Sequence, residues 1–415
     1  MRLFYSFGIR LYSAAVSIAA FFGNKKAVQW RDGRRGQWEG VLNLSEEEKK
    51  HKWIWMHVSS LGEYEQGLPV LEAVKKDFPK YKILLTFFSP SGYEVKKDKT
   101  CADRVAYMPS DTLRNAKRLV RTFPLKAAFF VKYDFWFNYI KVLHDNKIPM
   151  YYVSMLLRQD QYFFKPYGRW FRKHLTYIDY YFAQDEETAQ ALRLLGTDKI
   201  TITGDTRFDR VYNIARQPAS FPEIEEFING RKCIVAGSTW KTDEKMLHEF
   251  SKIMPDDYCL IIAPHHLNDG HIRQIVTLLE DDYQLYTEIN PKNHCKILVL
   301  NTIGILSKIY RYARFVHIGG GYDDTIHNTQ EAVVYGCPVT FGPVYEMFKE
   351  AVDLVREGGA YSLANQLEMN EIFTRFINDD AFLRRTSDIC NDFLRRNLGA
   401  TEKIVRELKA LIIKN

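Results

Sequence analysis

Residues 53–87, with the sequence WIWMHVSSLGEYEQGLPVLEAVKKDFPKYKILLTF, contain the elements of one strand–helix–strand unit. The apolar run 53–58 predicts a buried strand, and the small residues at 59–62 predict a turn. An amphipathic helix is expected from about Tyr64 to Phe78, followed by a second strand at 81–87. Strands that alternate with helices of this length indicate a parallel, doubly wound sheet.

The same alternation continues to about residue 210 and then starts again after a break. Further strands are expected at 127–132, 150–153, 180–183 and 200–203, with helices at 135–146 and 186–195. Residues 211–230 contain Pro218 and Pro222 and no long apolar run, which is typical of a linker. A second set of strands is expected at 232–236, 260–263, 297–300, 315–318 and 338–341, before a helical tail at 380–414.

The chain is therefore predicted to be an α/β protein with two Rossmann-like domains, 46–210 and 231–415, joined by the linker 211–230. Two parallel sheets that face each other leave a central cleft along the carboxyl ends of their strands. Ligands bind at such edges in open α/β folds. Binding and catalytic motifs are therefore expected directly after strands.

The composition limits the classes of function. With 58 basic and 51 acidic residues, the net charge of +7 suits an anionic substrate or membrane surface and is weak support for nucleic acid. The six cysteines form no CxxC pair, so neither a zinc site nor a disulfide framework is predicted. Reduced thiols fit the cytosol.

The first 45 residues differ from the rest of the chain. The mostly apolar segment Leu3–Phe22 is long enough to span a bilayer, although Arg10 would be costly near its centre. Five basic residues and Asp32 follow at 25–35, which places the next domain on the cytoplasmic side. We predict a membrane anchor at 1–45 that either spans the membrane or lies in its interface. The alternative is a helix packed on the domain.

The first motif, Ser59-Ser60-Leu61-Gly62-Glu63, lies between a strand and its helix. Small residues and Gly62 allow a tight turn into the helix. Glu63 is expected at the helix start, where a carboxylate can act as a general base and take the proton of an attacking hydroxyl group. The alternative is that Glu63 only complements the helix dipole or caps the first turn.

The second motif is the glycine triplet Gly319–Gly321 after a strand, followed by His327-Asn328 and Glu331 at the opening of a helix. Glycines allow close approach of the backbone, and free N–H groups at a helix start can bind phosphate. Glu331 could accept hydrogen bonds from a nucleotide ribose. This combination favours nucleotide-sugar binding, and the alternative is a plain strand–turn–helix joint.

Two more segments follow strands of the second set. Ser238 and Thr239 could bind a phosphate or sugar acid, or could simply cap the next helix. His265 and His266 are adjacent, so their side chains diverge, and contact with a base or phosphate is favoured over metal binding.

Two basic segments complete the candidates. Arg207, near the end of the first domain, could bind a phosphate or carboxylate, or could pair with Asp205 or Asp209. Residues 162–173 interleave aromatic residues with four basic ones, which suits a lipid surface. The same segment could bind single-stranded nucleic acid or form a helix with an aromatic core face.

Taken together, these blocks resemble the Kdo (3-deoxy-manno-octulosonic acid) transferases of Gram-negative bacteria, which have the GT-B fold. The resemblance extends from about Trp53 to Glu357 and includes a similar apolar N-terminus. The matching blocks, in the family's order, are Ser59–Glu63, Asp134–Asn138, Thr203–Asp209, Gly237–Thr239, Gly319–Glu331, Gly342-Pro343 and Phe348–Glu350. No single block is decisive, but their order and spacing together are specific.

The resemblance implies an inverting glycosyltransferase that moves Kdo from CMP-Kdo to a lipid A precursor (lipid IVA) at the cytoplasmic face of the inner membrane, without a metal or other cofactor. It implies that Glu63 is the catalytic base and that the C-terminal domain holds CMP. The donor-binding candidates are Ser238, Thr239, His265, Gly319, Gly320, Gly321, His327, Asn328, Glu331 and Arg207. The acceptor-binding candidates are Ser60, Gly62, Asp134, Lys165 and Arg169.

The chain departs from the family at several of these positions. Arg207 stands where the family usually has Lys, and His265 replaces a permanently charged Arg by a titratable group. Asp134 replaces Glu, and Asn301 and Ile305 replace acidic residues. Two other hypotheses are a GT-B transferase or epimerase that uses a UDP-sugar, and a non-catalytic membrane scaffold that retains a degenerate transferase fold.

Overall fold

The computed structural model describes residues 1–280, 282–290, 295–322 and 324–414, with side chains described to Ile412. The strands are β1 (Trp53–Val58), β2 (Lys82–Phe87), β3 (Arg104–Tyr107), β4 (Leu125–Val131), β5 (Met150–Met155), β6 (Tyr180–Ala183), β7 (Ile200–Ile202), β8 (Lys232–Thr239), β9 (Tyr258–Pro264), β10 (Tyr283–Leu285), β11 (Ile297–Val299), β12 (Ala313–Ile318), β13 (Val339–Phe341) and β14 (Ala360–Ser362).

The helices connect these strands and form both ends of the chain. They are α1 (Arg2–Phe21), α2 (Lys25–Asp32), α3 (Leu61–Asp77), α4 (Pro90–Lys96), α5 (Leu113–Thr122), α6 (Phe137–Asp145), α7 (Arg169–Leu175), α8 (Glu186–Leu194), α9 (Thr206–Ala215), α10 (Pro222–Ile228), α11 (Lys241–Ser251), α12 (Asp269–Leu279), α13 (Leu306–Ile309), α14 (Gln330–Val333), α15 (Lys349–Glu357), α16 (Gln366–Asn378), α17 (Asp380–Asn397) and α18 (Ala400–Lys414).

The chain divides into two compact units, each built around one parallel sheet. The first unit combines Met1–Arg210 with the segment that begins at Leu398, and the second is Val211–Asn397. The strand order is β3-β2-β1-β4-β5-β6-β7 in the first sheet and β10-β11-β9-β8-β12-β13-β14 in the second. The predicted α/β class with two doubly wound parallel sheets is confirmed.

Strand β1 is buried along its whole length and divides the core of the first unit. On one face Ile54 and Met56 pack against α3, and on the other Trp55 packs with Phe130 of β4. A Cβ atom on Gly67 would lie 2.8 Å from Val131 Cγ2, so this glycine lets α3 approach the sheet closely. This close packing fixes the position of α3 relative to β1.

The C-terminal helix corrects the predicted domain boundary. Residues 231–415 were expected to form one domain, but α18 packs in the core of the first unit through Ile404 and Leu408. The Asp209 carboxylate accepts hydrogen bonds from the N–H groups of Gly399 (2.7 Å) and Thr401 (2.6 Å). The apolar face of α18 is therefore packed against α3, which lies far away in sequence.

The N-terminal segment belongs to the first unit instead of forming a separate anchor domain. After α2, the half-buried Arg34 donates hydrogen bonds to the carbonyl oxygens of Met108 (3.1 Å) and Phe88 (2.7 Å) and stacks on Trp30. Among the described helices, α1 is long and apolar enough to cross a membrane. The alternative interpretation, a helix packed on the domain, is therefore correct for one face of α1.

Candidate active site

Glu63 lies in the first turn of α3, directly after β1. Ser60 is the N-cap residue of this helix, and its hydroxyl oxygen accepts a 3.4 Å hydrogen bond from the Glu63 N–H. The Glu63 carboxylate turns back and accepts a hydrogen bond from the Ser59 N–H. The structure thus contains the capping contact of the alternative interpretation, yet the Glu63 side chain stays partly exposed and is not walled off by packed residues.

Asp134 lies beside Glu63, and Ser59 connects the two carboxyl groups. The Ser59 N–H donates to Glu63, while its hydroxyl group donates to Asp134. The Asp134 side chain is only 19% exposed. Two carboxyl groups are therefore held together where the first sheet ends, although they lie far apart in sequence.

This shared environment raises the pKa of both carboxyl groups. Burial, the charge of Glu63 and a hydrogen bond between the two groups raise the pKa of Asp134 well above its ordinary range. Burial also raises the pKa of Glu63, although the hydrogen bonds from Ser59 and Asp134 and the charge of Lys132 act in the opposite direction. Of the two groups, Asp134 is shifted further, so Glu63 is the one that ionises first.

Sequence analysis missed the contribution of Lys132 to this site. Lys132 follows β4 with a φ of 59°, a left-handed conformation that costs a non-glycine residue about 1–3 kcal/mol. Its ammonium group is near enough to lower the pKa of both Glu63 and Asp134. A lysine at the carboxyl end of a buried strand was the signal in the sequence that could have identified it.

His57 completes the polar end of β1. Its side chain is fully buried, with Nδ1 2.9 Å from Thr86 Oγ1 and Nε2 3.9 Å from an Asp134 carboxylate oxygen. Burial, together with the charge of Arg34, lowers the pKa of His57 to about 3. The imidazole is therefore neutral beside the carboxyl pair.

The other acceptor candidates lie at exposed positions. Gly62 is inside α3, and a Cβ atom there would meet nothing closer than the Ser60 hydroxyl oxygen at 4.0 Å. A side chain at this position would therefore meet no steric obstacle. Lys165 and Arg169 are exposed, whereas the neighbouring Phe163 is buried in the core.

The aromatic residues of 162–173 mostly serve packing, as the core-face alternative proposed. Phe164, Trp170 and Phe171 pack against the hydrophobic core of the first unit, while Tyr162 and Tyr167 remain exposed. The segment consists of two short 3₁₀ turns followed by α7. Its exposed surface therefore combines these two tyrosines with the basic residues Lys165, Arg169 and Lys173.

In the second unit, the glycine triplet lies against the end of β8. A Cβ atom on Gly319 would lie 2.3 Å from the Ser238 carbonyl oxygen, and one on Gly320 would lie 2.5 Å from the Thr325 carbonyl oxygen. Ser238 itself has a φ of 56°. The glycines let the backbone approach closely here, and this packing joins two of the predicted donor-binding segments.

An aromatic stack lies next to this glycine loop. The His265 ring stacks between the rings of Trp240 and His327, at centroid distances of 4.7 and 4.4 Å. The Trp240 indole N–H donates a 3.0 Å hydrogen bond to His327 Nε2. Burial lowers the pKa of His265 and of His327, and neighbouring histidines lower both further. Trp240, which sequence analysis did not select, holds the two imidazoles in place.

Two predictions for this region are wrong in detail. Helix α14 begins at Gln330 and has four residues, so Asn328 lies before it, and a one-turn helix is too short to present a strong dipole. The Asn328 side-chain oxygen already accepts the Gln330 N–H at 3.0 Å, and its amide group donates to Glu331. Thr239 does not cap α11, because its hydroxyl group donates to Glu244.

Arg207 has the ion pair that the alternative interpretation proposed. Its guanidinium group donates hydrogen bonds to the Asp205 carboxylate, at 2.8 Å from Nε, and the Arg207 side chain is 28% exposed. Burial opposes ionisation of Asp205, but Arg207 outweighs it and keeps the pKa of that carboxyl group below its ordinary value. Within the described ranges, no group of three or more His, Cys, Asp and Glu side chains is arranged to hold a metal ion.

Comparison with known proteins decides between the remaining families. Residues 34–210 match the family described as 3-deoxy-D-manno-octulosonic-acid transferase (kdotransferase). Proteins named 3-deoxy-D-manno-octulosonic acid transferase from Aquifex aeolicus and Haemophilus influenzae are 24% and 23% identical to the chain. The alignments cover 78% and 87% of this chain, and 86% and 88% of those proteins.

The family model and the relatives together support Kdo transfer as the activity of this chain. As a Kdo transferase it is a glycosyltransferase of lipopolysaccharide biosynthesis, and its apolar α1 accords with a membrane-associated enzyme. The family match includes both Glu63 and Asp134. The resemblance predicted from the sequence blocks is confirmed.

Solved structures show that this Kdo transferase has the GT-B fold. A UDP-GlcNAc 2-epimerase from Neisseria meningitidis, bound to UDP-GlcNAc, aligns with a TM-score of 0.63 at 17% identity, covering 88% of this chain and all 100% of that one. A calicheamicin glycosyltransferase aligns with a TM-score of 0.54 at 12% identity, covering 87% and 98%. At these identities the likeness concerns the fold alone.

Proposed function

We propose that the chain transfers Kdo from CMP-Kdo to a hydroxyl group of a lipid A precursor at the cytoplasmic face of the inner membrane. The observation that carries the proposal is the Glu63–Asp134 carboxyl pair, which lies within the segment that matches the family. All six cysteines are unpaired thiols, which fits the reducing cytoplasmic side.

In the proposed reaction Glu63 is the general base. The acceptor hydroxyl group transfers its proton to the Glu63 carboxylate while its oxygen forms a bond to the anomeric carbon of Kdo. The bond between that carbon and the CMP phosphate oxygen breaks, and CMP leaves with the electron pair. Burial raises the pKa of Glu63, which makes it a stronger base than an exposed carboxylate.

Asp134 supports this role by keeping its own proton. With one proton on Asp134, the pair carries a single negative charge, and that charge lies on Glu63. The Ser59 hydroxyl and N–H groups fix both carboxyl groups. We propose that Ser60, Gly62, Asp134, Lys165 and Arg169 form the acceptor side, where the basic residues would meet lipid phosphates.

The donor side of the proposal lies in the second unit. The Gly319–Gly321 loop, Ser238 and Thr239 would approach the phosphate of CMP-Kdo, and hydrogen bonds there would stabilise the charge of the leaving group. His265 and His327 would contact the anionic parts of the donor. Asn328 and Glu331 would contact the ribose. The guanidinium group of Arg207 would bind an anionic group of the donor.

The test is the Glu63→Gln substitution in the full chain. With CMP-Kdo generated in situ and a tetraacyl lipid A precursor, we expect turnover to fall by about 10²–10⁴-fold, the usual contribution of a general base. CMP should still raise the melting temperature of the variant, and UDP should not. Turnover of Glu63→Gln at the wild-type rate would contradict the assignment.

Glu65→Gln is the matched control. Glu65 lies two residues further along α3 and pairs with Lys96 (2.7 Å) and Arg210 (3.0 Å) on the protein surface. We expect this variant to keep turnover within a few-fold of the wild type. A UDP response in the melting assay would instead support the UDP-sugar hypothesis.

A further inference from the structure

Helix α1 is attached to the first unit at both ends and in its middle. The Tyr5 hydroxyl group donates a 2.6 Å hydrogen bond to Asp111, and its ring lies 5.2 Å from that of Phe137. Ser13 Oγ lies 3.3 Å from Ser110 Oγ. Near the end of the helix, Ala20 is only 5% exposed. At about 1.5 Å per residue, α1 therefore extends roughly 30 Å along the surface of the unit.

The opposite face of α1 is a stripe of large apolar side chains. Phe4, Phe7, Leu11, Ile18 and Phe21 are between 59% and 80% exposed. Their spacing of three, four, seven and three residues places them on one side of a helix. A continuous apolar surface of this kind marks an interaction site.

The charges around this stripe favour an anionic lipid surface. The first 35 residues contain seven basic residues and one acidic residue. Arg10, Lys25, Lys26 and Arg35 are exposed. Basic residues beside an amphipathic helix attract anionic lipid headgroups, whereas a second copy of the same basic surface would be repelled.

We propose that α1 lies flat in the interface of an anionic bilayer, with this apolar stripe in the boundary of the acyl chains, instead of crossing the membrane. To cross, the helix would have to leave the surface of the unit and give up the Tyr5–Asp111 hydrogen bond. Asp111 is completely buried, so its carboxyl group would lose the Tyr5 hydroxyl donor in a place that water does not reach. A flat helix keeps these contacts and buries only the free face.

This arrangement connects the lipid surface to the acceptor side of the candidate site. Besides Tyr5, Asp111 accepts hydrogen bonds from the backbone N–H groups of Asn138 (3.2 Å) and Tyr139 (3.1 Å), in the first turn of α6. That turn follows Asp134 directly in the chain. Helix α1 and the segment that follows Asp134 are therefore joined through one buried carboxylate.

Depth measurement tests the proposal. Single cysteines at Phe4, Leu11 and Ile18 are labelled with the fluorophore NBD in the full chain, after Cys101→Ser has removed the only cysteine that is not buried. Bound to vesicles of phosphatidylethanolamine and phosphatidylglycerol (3:1), the three labels should show the same shallow depth by quenching with spin-labelled lipids. A deepest position at Leu11, with shallow ends, would show a spanning helix and overturn the proposal.

A binding measurement completes the test. We expect the triple variant Phe4→Ser, Phe7→Ser, Leu11→Ser to lose vesicle co-sedimentation by at least tenfold. The matched control replaces Leu194, Ile253 and Leu367, which are also exposed, and should bind as the wild type does. Equal binding of both variants, or a dimer that forms through α1 without lipid, would overturn the proposal. Neither assay uses turnover, so the outcome is independent of the proposed reaction.

Discussion

The two sheets contain the same buried pair and use it differently. In the first, His57 Nδ1 lies 2.9 Å from Thr86 Oγ1 on the neighbouring strand, and in the second His317 Nδ1 lies 3.0 Å from Thr340 Oγ1. Both histidines are completely buried. The difference lies at the other ring nitrogen, Nε2, which faces an aspartate in both units.

Asp243 in the second unit is fully engaged by the protein. It lies 3.1 Å from His317 Nε2 and accepts hydrogen bonds from the N–H groups of Trp240 (2.7 Å) and Gly320 (3.0 Å). It therefore holds the glycine loop against α11. A carboxylate with this many donors is structural, because each donor would otherwise be buried without a partner.

Asp134 in the first unit is held less completely. His57 Nε2 is 3.9 Å from it, and among the described residues this nitrogen has no hydrogen-bond partner. Asp134 instead forms a hydrogen bond with Glu63, which helps to raise the pKa of Asp134. Incomplete satisfaction of buried polar groups is typical of functional sites. The comparison supports the proposed proton transfer at the first sheet edge and the proposed donor-binding loop at the second.

The largest expected effect separates the two aspartates. Asp243→Ala should destabilise the second unit by about 3–5 kcal/mol, because it leaves three buried donors unpaired. Asp134→Ala should change the stability of the first unit by less than about 1 kcal/mol, since Ser59 can turn to water. Hydrogen–deuterium exchange of the strand amides in each unit measures both. Equal losses in the two units would remove the distinction.

The glycines of the two edges should also respond differently. Gly319→Ala is expected to cost about 3 kcal/mol, because its Cβ atom would lie 2.3 Å from the Ser238 carbonyl oxygen. Gly62→Ala meets nothing within 4.0 Å and, inside α3, should leave stability unchanged or raise it by up to about 1 kcal/mol. Thermal unfolding of each variant checks this. A stable Gly319→Ala variant would contradict the close approach.

The pH dependence of stability sharpens the role of Asp134. Because its pKa is raised in the folded state, the native protein keeps a proton that the unfolded chain has lost. Wild-type stability therefore falls as the pH rises from the ordinary carboxyl range through the raised pKa. Asp134→Asn should be more stable by about 1 kcal/mol at pH 8, or roughly 2–4 °C in Tm, with no advantage near pH 4. If the difference in stability between the two proteins were the same at all pH values, the raised pKa of Asp134 would be contradicted.

The smallest expected effect concerns the histidines of the second edge. The lowered pKa of His265 leaves it uncharged at neutral pH, so an anionic ligand should bind more tightly as the pH falls. His265→Arg should strengthen CMP binding at pH 7.5 by about 3- to 10-fold, since a partly exposed charge pair contributes about 1 kcal/mol. Calorimetric titrations measure the affinity of both proteins for CMP at pH 5.5 and 7.5. Because the two proteins are compared at the same pH, ionisation of the CMP phosphate affects both equally. An unchanged affinity would place the phosphate elsewhere.

Sequence periodicity predicted the central strands well and the edge strands poorly. The expected strands 53–58 and 180–183 agree with β1 and β6 to the residue. The expected strands 260–263 and 315–318 are shorter than β9 and β12, which begin at Tyr258 and Ala313. Strands β3, β10 and β14 were missed. Each is an edge strand of three or four residues that is only partly buried, so its sequence has no continuous apolar run.

The candidate site was predicted in part. Sequence motifs placed Glu63 and the glycine triplet shortly after strands, as the structure has them. They did not identify Lys132 or Trp240, because neither belongs to a motif and each matters through a neighbour distant in sequence. Asp134 was selected, but its proton could not be predicted from the sequence, since the pKa depends on burial and on Glu63.

The two parallel sheets, the family and the place of the motifs could be predicted from the sequence. The patterns that reveal them are formed by residues that are close together in the chain. Tertiary structure alone decided which carboxyl group keeps the proton, that α18 returns to the first unit, and that one face of α1 is docked. These features rest on contacts such as Ser59 with Asp134, 75 residues apart, and Asp209 with Gly399, 190 residues apart. Burial and charge act through space, so only the folded chain brings such groups near enough to change each other's chemistry.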